Sequence, residues 1–369
     1  MNNKLAWSLA VVVLSQPIPA AAQSNGLNVA IVFDTAGKYD HAMNQAANDG
    51  AERAANDFGV NVSTATPTDT ADATSLLNSN ARNNALVISI GHASTSSVNT
   101  LAKTMPAVHF AVVDDLPGGQ NTMGIRFREN EGAFMAGYIA ASDTSTNVIG
   151  MVAPDASTAT ARFITAYKAG VKLICGSCTV LTESTTGTTP ADITASAERI
   201  SKTMMLKGAD ILFVGANKGK YGVVAAVRSQ QCLKAASLPA GVKFTRDVFA
   251  SVPRPKDYLA NCAGETRPVF FIGWESDYVS LGDTDADPAT LNSGLTCIVK
   301  RADNAVYDLI RDQVKKRPWR TGETAFGFQN NGLEVTVNPF NTALFDKAML
   351  GRMKKVEGLI TSGILKLGE

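Results

Sequence analysis

The sequence predicts an α/β protein built from two doubly wound parallel sheets. Three observations carry that expectation. Short, nearly continuous apolar runs recur along the chain and end in Asp, Ala or Gly, as strands buried on both faces do. Helical spacing fills the gaps between them. The alternation then starts again near residue 148 of a 369-residue chain, a length that itself suggests two domains at roughly 150 residues each.

The elements follow in order. Leu27–Phe33 reads as a buried strand ending at Asp34, and a helix follows from about Asp40 to Phe58, stopped by Gly59. A strand at Val60–Thr64, a helix near Thr70–Ala81 and the strand Leu86–Ile90, ending at Gly91, come next. A helix at Thr95–Thr104 and the strand Val108–Val113, ending at Asp114, complete βαβαβαβ. An extended segment at Thr122–Phe127 leads to a helix at Glu129–Ala141. The second series runs through strands at Val148–Val152, Cys178–Thr182, Ala209–Val214 and Val269–Ile272, with helices at Thr158–Lys172, Pro190–Lys207 and Tyr221–Gln231. Residues 233–268, with Pro239, Pro253, Pro255 and Pro268, read as an irregular insertion. The chain closes with a strand at Leu295–Val299 and a helix at Asp303–Lys316. Short strands near Ala325–Phe328 and Leu333–Val337, then a helix over Thr342–Ser362, complete it.

Residues 1–22 have the form of a secretory signal peptide: Lys4, an apolar run from Leu5 to Leu14, Pro17 and Pro19, then Ala20-Ala21-Ala22. The run is too short to span a bilayer. Because the first cysteine is Cys175, no lipid anchor is expected, which favours the periplasm of a two-membrane bacterium. Removing 1–22 takes away Lys4 alone among the charges and leaves 33 basic against 33 acidic residues, so no basic field points to nucleic acid. The 45% hydrophobic content excludes disorder. Five cysteines fit an oxidising compartment. Cys175 and Cys178 suit a tight structural loop, Cys232 and Cys262 flank the Pro-rich insertion, and Cys297 sits in an apolar strand as the free thiol. Three scattered histidines, His41, His92 and His109, leave no metal-ligand spacing, and neither a metal nor a cofactor is expected.

In open α/β sheets, ligands bind beyond the carboxyl ends of the strands. Asp34 and Asp114 both stand there, and Asn217 just past a third strand end. An Asp in such a place commonly caps a helix or forms a turn, but two at one sheet edge shift the weight towards a site. His92, after the strand at 86–90, faces the same cleft.

Several stretches in order resemble the basic membrane protein family of ABC-transporter substrate-binding proteins. Asp34–Gln45 resembles its Asp-led signature ending in Ser-Phe-Asn-Gln, and His109–Asp114 its strand ending in a ligand-facing Asp. Glu131-Gly132-Ala133-Phe134-Met135-Ala136-Gly137 is similar to its Glu-Gly-Ala-Phe-Leu-Ala-Gly helix. Gly208–Ile211, Gly273–Asp277 and Ile298–Lys300 match further short motifs. The resemblance implies a type I periplasmic binding fold, two Rossmann-like lobes with three crossings near Gly118–Arg126, Trp274–Leu281 and Phe326–Gly332. The lobes would take 23–125 with 301–325, and 126–300 with 326–369. It implies a purine-nucleoside-like ligand, with Glu275 and Lys300 at the sugar, Asn44 alongside, and Asp114 reading the base. A carboxylate can accept both hydroxyls of a ribose while a lysine donates to their oxygens. The chain departs from the pattern at Met43, where the family has an aromatic, at Tyr39, where it has the first Asp of the pair before Asp40, and at Glu275, one methylene longer than the family's Asp. Tyr39 or Trp274 could supply a ring instead. The expected partners are the solute and an inner-membrane permease, and the expected state is a monomer. A nucleoside-processing hydrolase using Asp34, Asp40 and Asp114, and a ligand-presenting sensory domain, are the alternative classes. Neither a Gly-x-Ser-x-Gly elbow nor a P-loop supports an enzyme.

Overall fold

The computed structural model describes residues 26–365 and 367; the expected signal peptide lies outside them. Each sheet forms where apolar strands alternate with helices that cover both of its faces. In the first half these are β1 (Asn28–Val32), α1 (Met43–Phe58), β2 (Asn61–Ala65), α2 (Thr70–Ala81), β3 (Leu86–Ile90), α3 (Thr95–Thr104), β4 (His109–Val113) and β5 (Thr122–Phe127). In the second they are α4 (Glu129–Asp143), β6 (Val148–Ala153), α5 (Thr158–Ile174), β7 (Thr179–Ser184), α6 (Pro190–Leu206), β8 (Ile211–Val214) and α7 (Lys220–Gln230). Then follow β9 (Cys232–Lys234), α8 (Lys256–Asn261), β10 (Thr266–Pro268), β11 (Phe270–Glu275), β12 (Gly294–Lys300), α9 (Ala302–Val314), β13 (Gly322–Phe326), β14 (Leu333–Val335) and α10 (Lys347–Thr361).

The first sheet has the order β13-β5-β4-β3-β1-β2, parallel throughout. The second has the order β14-β12-β11-β8-β6-β7, parallel except for its edge strand β14. Two apolar layers flank each sheet. Ile31, Ile88 and Val306 belong to one layer of the first lobe, Val32, Leu77 and Phe110 to the other. Both faces are therefore dry, which explains strands that read as solid apolar runs rather than as alternating ones. This is the type I periplasmic binding fold.

The chain passes between the sheets from β5 to α4, from β12 to α9 and from β13 to β14. One expected crossing is corrected. Trp274–Leu281 stays inside the second lobe, because β11 runs on to Glu275 in register with β12 and Tyr278 turns back to accept the Trp274 amide proton at 3.0 Å. The insertion at 233–268 is more ordered than expected, with β9 and β10 paired antiparallel across it and the short α8 between them.

The glycines of the Glu-Gly-Ala-Phe-Met-Ala-Gly helix have a packing cause. A Cβ on Gly137 would stand 2.1 Å from the Tyr167 carbonyl oxygen, and one on Gly170 would stand 1.9 Å from that of Phe134. The backbones of α4 and α5 thus touch, and α4 is buried almost all round. Gly132 makes room for the Trp274 ring, which a Cβ there would approach to 2.6 Å.

Cys175–Cys178 and Cys232–Cys262 are disulfides with Cα separations of 5.3 and 6.1 Å, and Cys297 is a buried free thiol, as the sequence led us to expect. Reach alone permits both bridges. The second ties the insertion back to the start of β9.

Candidate functional site

Lys300, the last residue of β12, is the centre of the site. Its side chain is 1% exposed, and its ammonium lies 2.6 Å from Glu129 Oε1, 3.2 Å from Asp114 Oδ1 and 3.3 Å from Glu275 Oε1. Phe127 and Trp274 put their rings beneath the same charge, at 5.7 and 5.6 Å. Burial alone would strip the proton from this lysine, but Asp114, Glu275 and Glu129 outweigh it and hold its pKa well above the usual lysine value. Asp114 shows the converse balance. Burial pushes its carboxyl up, Lys300 pulls it down, and Glu129 and Glu275 push it up again. The Asp114 side chain keeps 31% of its surface exposed.

Asp114 and Glu275 share a backbone signature. Asp114 follows β4 and Glu275 ends β11, with φ of +70° and +71°, where a side chain is strained. Both carboxylates reach the Lys300 ammonium from there. Asn217, in a short turn after β8, donates from Nδ2 to Glu275 Oε2 at 2.7 Å, while its Oδ1 is buried without a partner. The Ser276 hydroxyl beside it is likewise buried and unpartnered.

The loop from β1 to α1 forms a second group. Asp34 Oδ1 accepts from Asn44 Nδ2 at 2.6 Å and from the Ala36 amide at 2.8 Å. Asn44, fully buried, also donates to the Gly37 carbonyl and accepts from the Asp34 amide, so its whole amide group braces this loop. Asp40 caps α1, accepting from the amides of Ala42, Asn44 and Gln45. Met43 packs half-buried on the first-lobe core. Tyr39 is 72% exposed, with the Lys38 ammonium 5.4 Å from its ring. His92 is exposed in the turn before α3, and Trp274 is 3% exposed, wedged between Phe163 and Phe213.

The structure therefore brings Asp114, Asn217, Trp274, Glu275 and Lys300 together and gathers Asp34, Asp40 and Asn44 into a separate brace. Two residues that the sequence reading passed over join them. Glu129 looked like an ordinary acidic residue in the first turn of a helix, which favours α4 through its dipole. Lys220 stands just ahead of the helix expected at Tyr221–Gln231 and is 8% exposed. Oxygens of Asp114, Glu129 and Glu275 lie within 4.8 Å of one another, a spacing that can hold a metal ion, but the Lys300 ammonium already occupies their midst. A cavity of about 480 Å³ reaches Phe127 and Glu129 from the side of β13, within the size range of small-molecule sites.

The match to known proteins agrees with this architecture. The Bmp family, described as ABC transporter substrate-binding protein PnrA-like, matches residues 27–234. The chain belongs to that family. Relatives of this Bmp protein include the CD4+ T-cell-stimulating antigen of Listeria monocytogenes, 26% identical over 357 residues that cover 94% of this chain and 89% of the relative. The ABC transporter nucleoside-binding protein BmpA of Lactococcus lactis is 24% identical over 343 residues, 91% of this chain and 88% of its own. A crystal structure of an ABC transporter solute-binding protein from Aeropyrum pernix K1 shares the fold with a TM-score of 0.66 at 21% identity, covering 92% of each chain. An uncharacterized lipoprotein of Pyrococcus abyssi is 35% identical over 138 residues, 36% of this chain and 34% of its own. That name stands against the expectation that this Bmp protein has no lipid anchor.

Proposed function

We propose that this substrate-binding protein takes a nucleoside-like solute between its lobes, in the periplasm, and presents it unchanged to the permease of an ABC importer. The observation that carries the reading is Lys300 held among Asp114, Glu129 and Glu275, with Asn217 beside Glu275. Vicinal hydroxyls suit such a set. Glu275 and the unpartnered Asn217 Oδ1 accept from them, and the ammonium donates to their oxygens. Asp114 faces the same space from the first lobe and can accept from donor nitrogens of a base. Both disulfides fit an oxidising compartment.

Calorimetry with guanosine, adenosine, uridine, their free bases and ribose tests this. Nucleosides are expected to bind and free bases to bind at least tenfold more weakly, since the bases lack the hydroxyls. Equal binding of bases and nucleosides would remove the sugar contacts from the reading. Chromatography of the ligand after hours with the protein separates a receptor from a hydrolase, which would release base and sugar.

A further inference from the structure

Lys220 opens α7, and its chemistry is at odds with a site that takes only a neutral solute. The acids described around the cleft have protein partners. Asp34 is held by Asn44, Asp40 by the first turn of α1, and Asp114, Glu129 and Glu275 by Lys300. Lys220 is 8% exposed and, among the described residues, makes neither an ion pair nor a hydrogen bond; its ammonium rests only on the rings of Tyr221 and Tyr278, at 5.4 and 5.3 Å. Burial lowers its pKa, opposed by the charges of Asp40 in the first lobe and Glu275 in the second.

The surrounding backbone adds to the positive charge. The eleven-residue helix α7 begins after Gly219, so no side chain caps it, and its first turn has no acidic residue. The Lys220 amide is taken by the Asn217 carbonyl of the preceding turn, but the helix dipole still favours an oxyanion there. A lysine on that first turn is electrostatically unfavourable by itself, so it calls for a negative partner. The glycines of the loop have another cause: Cβ atoms on Gly219 and Gly222 would collide with Ala197 and with the Thr194 carbonyl of α6. The buried, unpaired lysine is what points to a ligand.

We propose that Lys220 and the first turn of α7 form an oxyanion subsite, so that the solute carries a phosphate or carboxylate next to the sugar held by Glu275 and Lys300. This rests on the nucleoside-like reading and narrows it to an anionic member of that class. Asp40 does not fill the subsite, because both its oxygens serve the amides of α1.

The test measures affinity of the full protein for guanosine, adenosine and uridine, each as the nucleoside, the 5′-monophosphate and the 5′-carboxylate. Wild type, Lys220→Met and Lys220→Arg are compared, with melting curves for each. Methionine keeps an apolar stem over the tyrosine rings. At least one anionic compound is expected to bind tenfold or more tightly than its nucleoside. Lys220→Met should weaken the preferred anionic compound at least tenfold more than its nucleoside and so abolish that preference, and Lys220→Arg should retain it. The monophosphate and carboxylate arms tell which oxyanion is recognised. Nucleosides that bind as tightly as both anionic forms overturn the subsite and leave the nucleoside reading intact. An equal loss of all three forms in Lys220→Met overturns it too and makes Lys220 a clasp against Asp40. If none of the nine compounds binds wild type, both readings fall together.

Discussion

The Lys300 ammonium lies 3.2 Å from Asp114 Oδ1, on a residue 186 positions earlier in the chain and in the other lobe. One buried cation thus belongs to both walls of the cleft, since Glu275 of the second lobe takes it at 3.3 Å.

Replacing it exposes what it neutralises. Lys300→Met leaves three carboxylates with oxygens inside 4.8 Å of one another and no cation among them. We expect a loss of about 3–5 kcal/mol at pH 7.5. Part of that loss should return by pH 5. Mutual repulsion raises the folded-state carboxyl pKa above the unfolded one, so stability is present at low pH and lost as pH rises through the folded value. Urea titrations at both pH values check this; unchanged stability would mean that the ion pairs contribute nothing to the fold.

At Glu275 stability and binding should separate. Its φ of +71° is unfavourable for any residue with a Cβ. Glu275→Gly should relieve on the order of 1 kcal/mol of strain and raise the melting temperature while binding is lost. Glu275→Gln keeps the strain and should cost roughly ten- to a hundredfold in affinity, the worth of a hydrogen bond to a charged group. A lower melting temperature for the glycine variant would contradict the strain argument.

A pH signature sits far from the cleft. Asp143, 4% exposed at the end of α4, has its carboxyl pushed up to about 7 by burial, against the pull of Arg246 and Arg352. Asp210 is raised to about 6 by burial despite hydrogen bonds from the Thr144 hydroxyl and the amides of Ser145 and Thr146. Raised carboxyls stabilise the fold below the unfolded pKa near 4, and that contribution disappears as pH climbs past 6 to 7. Asp143→Asn should therefore be more stable than wild type at pH 8, by on the order of a few kcal/mol, with the gap closing by pH 4. Calorimetric scans across that range decide it; a gap independent of pH would exclude titration of Asp143 as its source.

Reduction should act through one bridge. Closing the 30-residue separation between Cys232 and Cys262 is worth roughly 3–4 kcal/mol in chain entropy, and the three-residue separation of Cys175 and Cys178 about 2. Cys232→Ser/Cys262→Ser should lose more stability than Cys175→Ser/Cys178→Ser in urea titrations. Burial holds the Cys297 thiol far above its usual pKa, so it should resist alkylation until the protein unfolds. Rapid native labelling at Cys297 would argue against its burial.

The inner strands were legible because they are dry on both faces, which leaves runs such as Val29–Phe33 with nothing polar to break them, whereas the edge strands β2 and β7 are largely open. Lys300 and Glu275 were legible through motifs at strand ends. Glu129 was hidden by a local explanation, since an acid in the first turn of a helix already has a reason to be there. Lys220 was hidden because nothing in the run Gly219-Lys220-Tyr221 tells that the distant Tyr278 ring also covers its ammonium. The misplaced crossing at Trp274 has a similar cause. A strand that turns back and a strand that leaves the lobe look alike until its neighbour β12 is known.

The three passages between the lobes are laced to one another. The Arg128 amide donates to the Phe326 carbonyl at 2.7 Å, the Phe328 amide to Glu131 Oε2 at 3.0 Å, the Arg301 amide to the Gly332 carbonyl at 2.9 Å, and Lys300 grips Glu129. Three independent strings would let one lobe slide, tilt or roll against the other. Bound into a single strap, they resist shear and leave torsion about one axis as the soft coordinate. A solute that touches both walls then exerts a torque on one degree of freedom, so the far rims converge along a fixed arc. Distance measurements between pairs of labels across the rims should accordingly fall on one curve as ligand is added, and cutting the Glu131 tie with Glu131→Ala should scatter them.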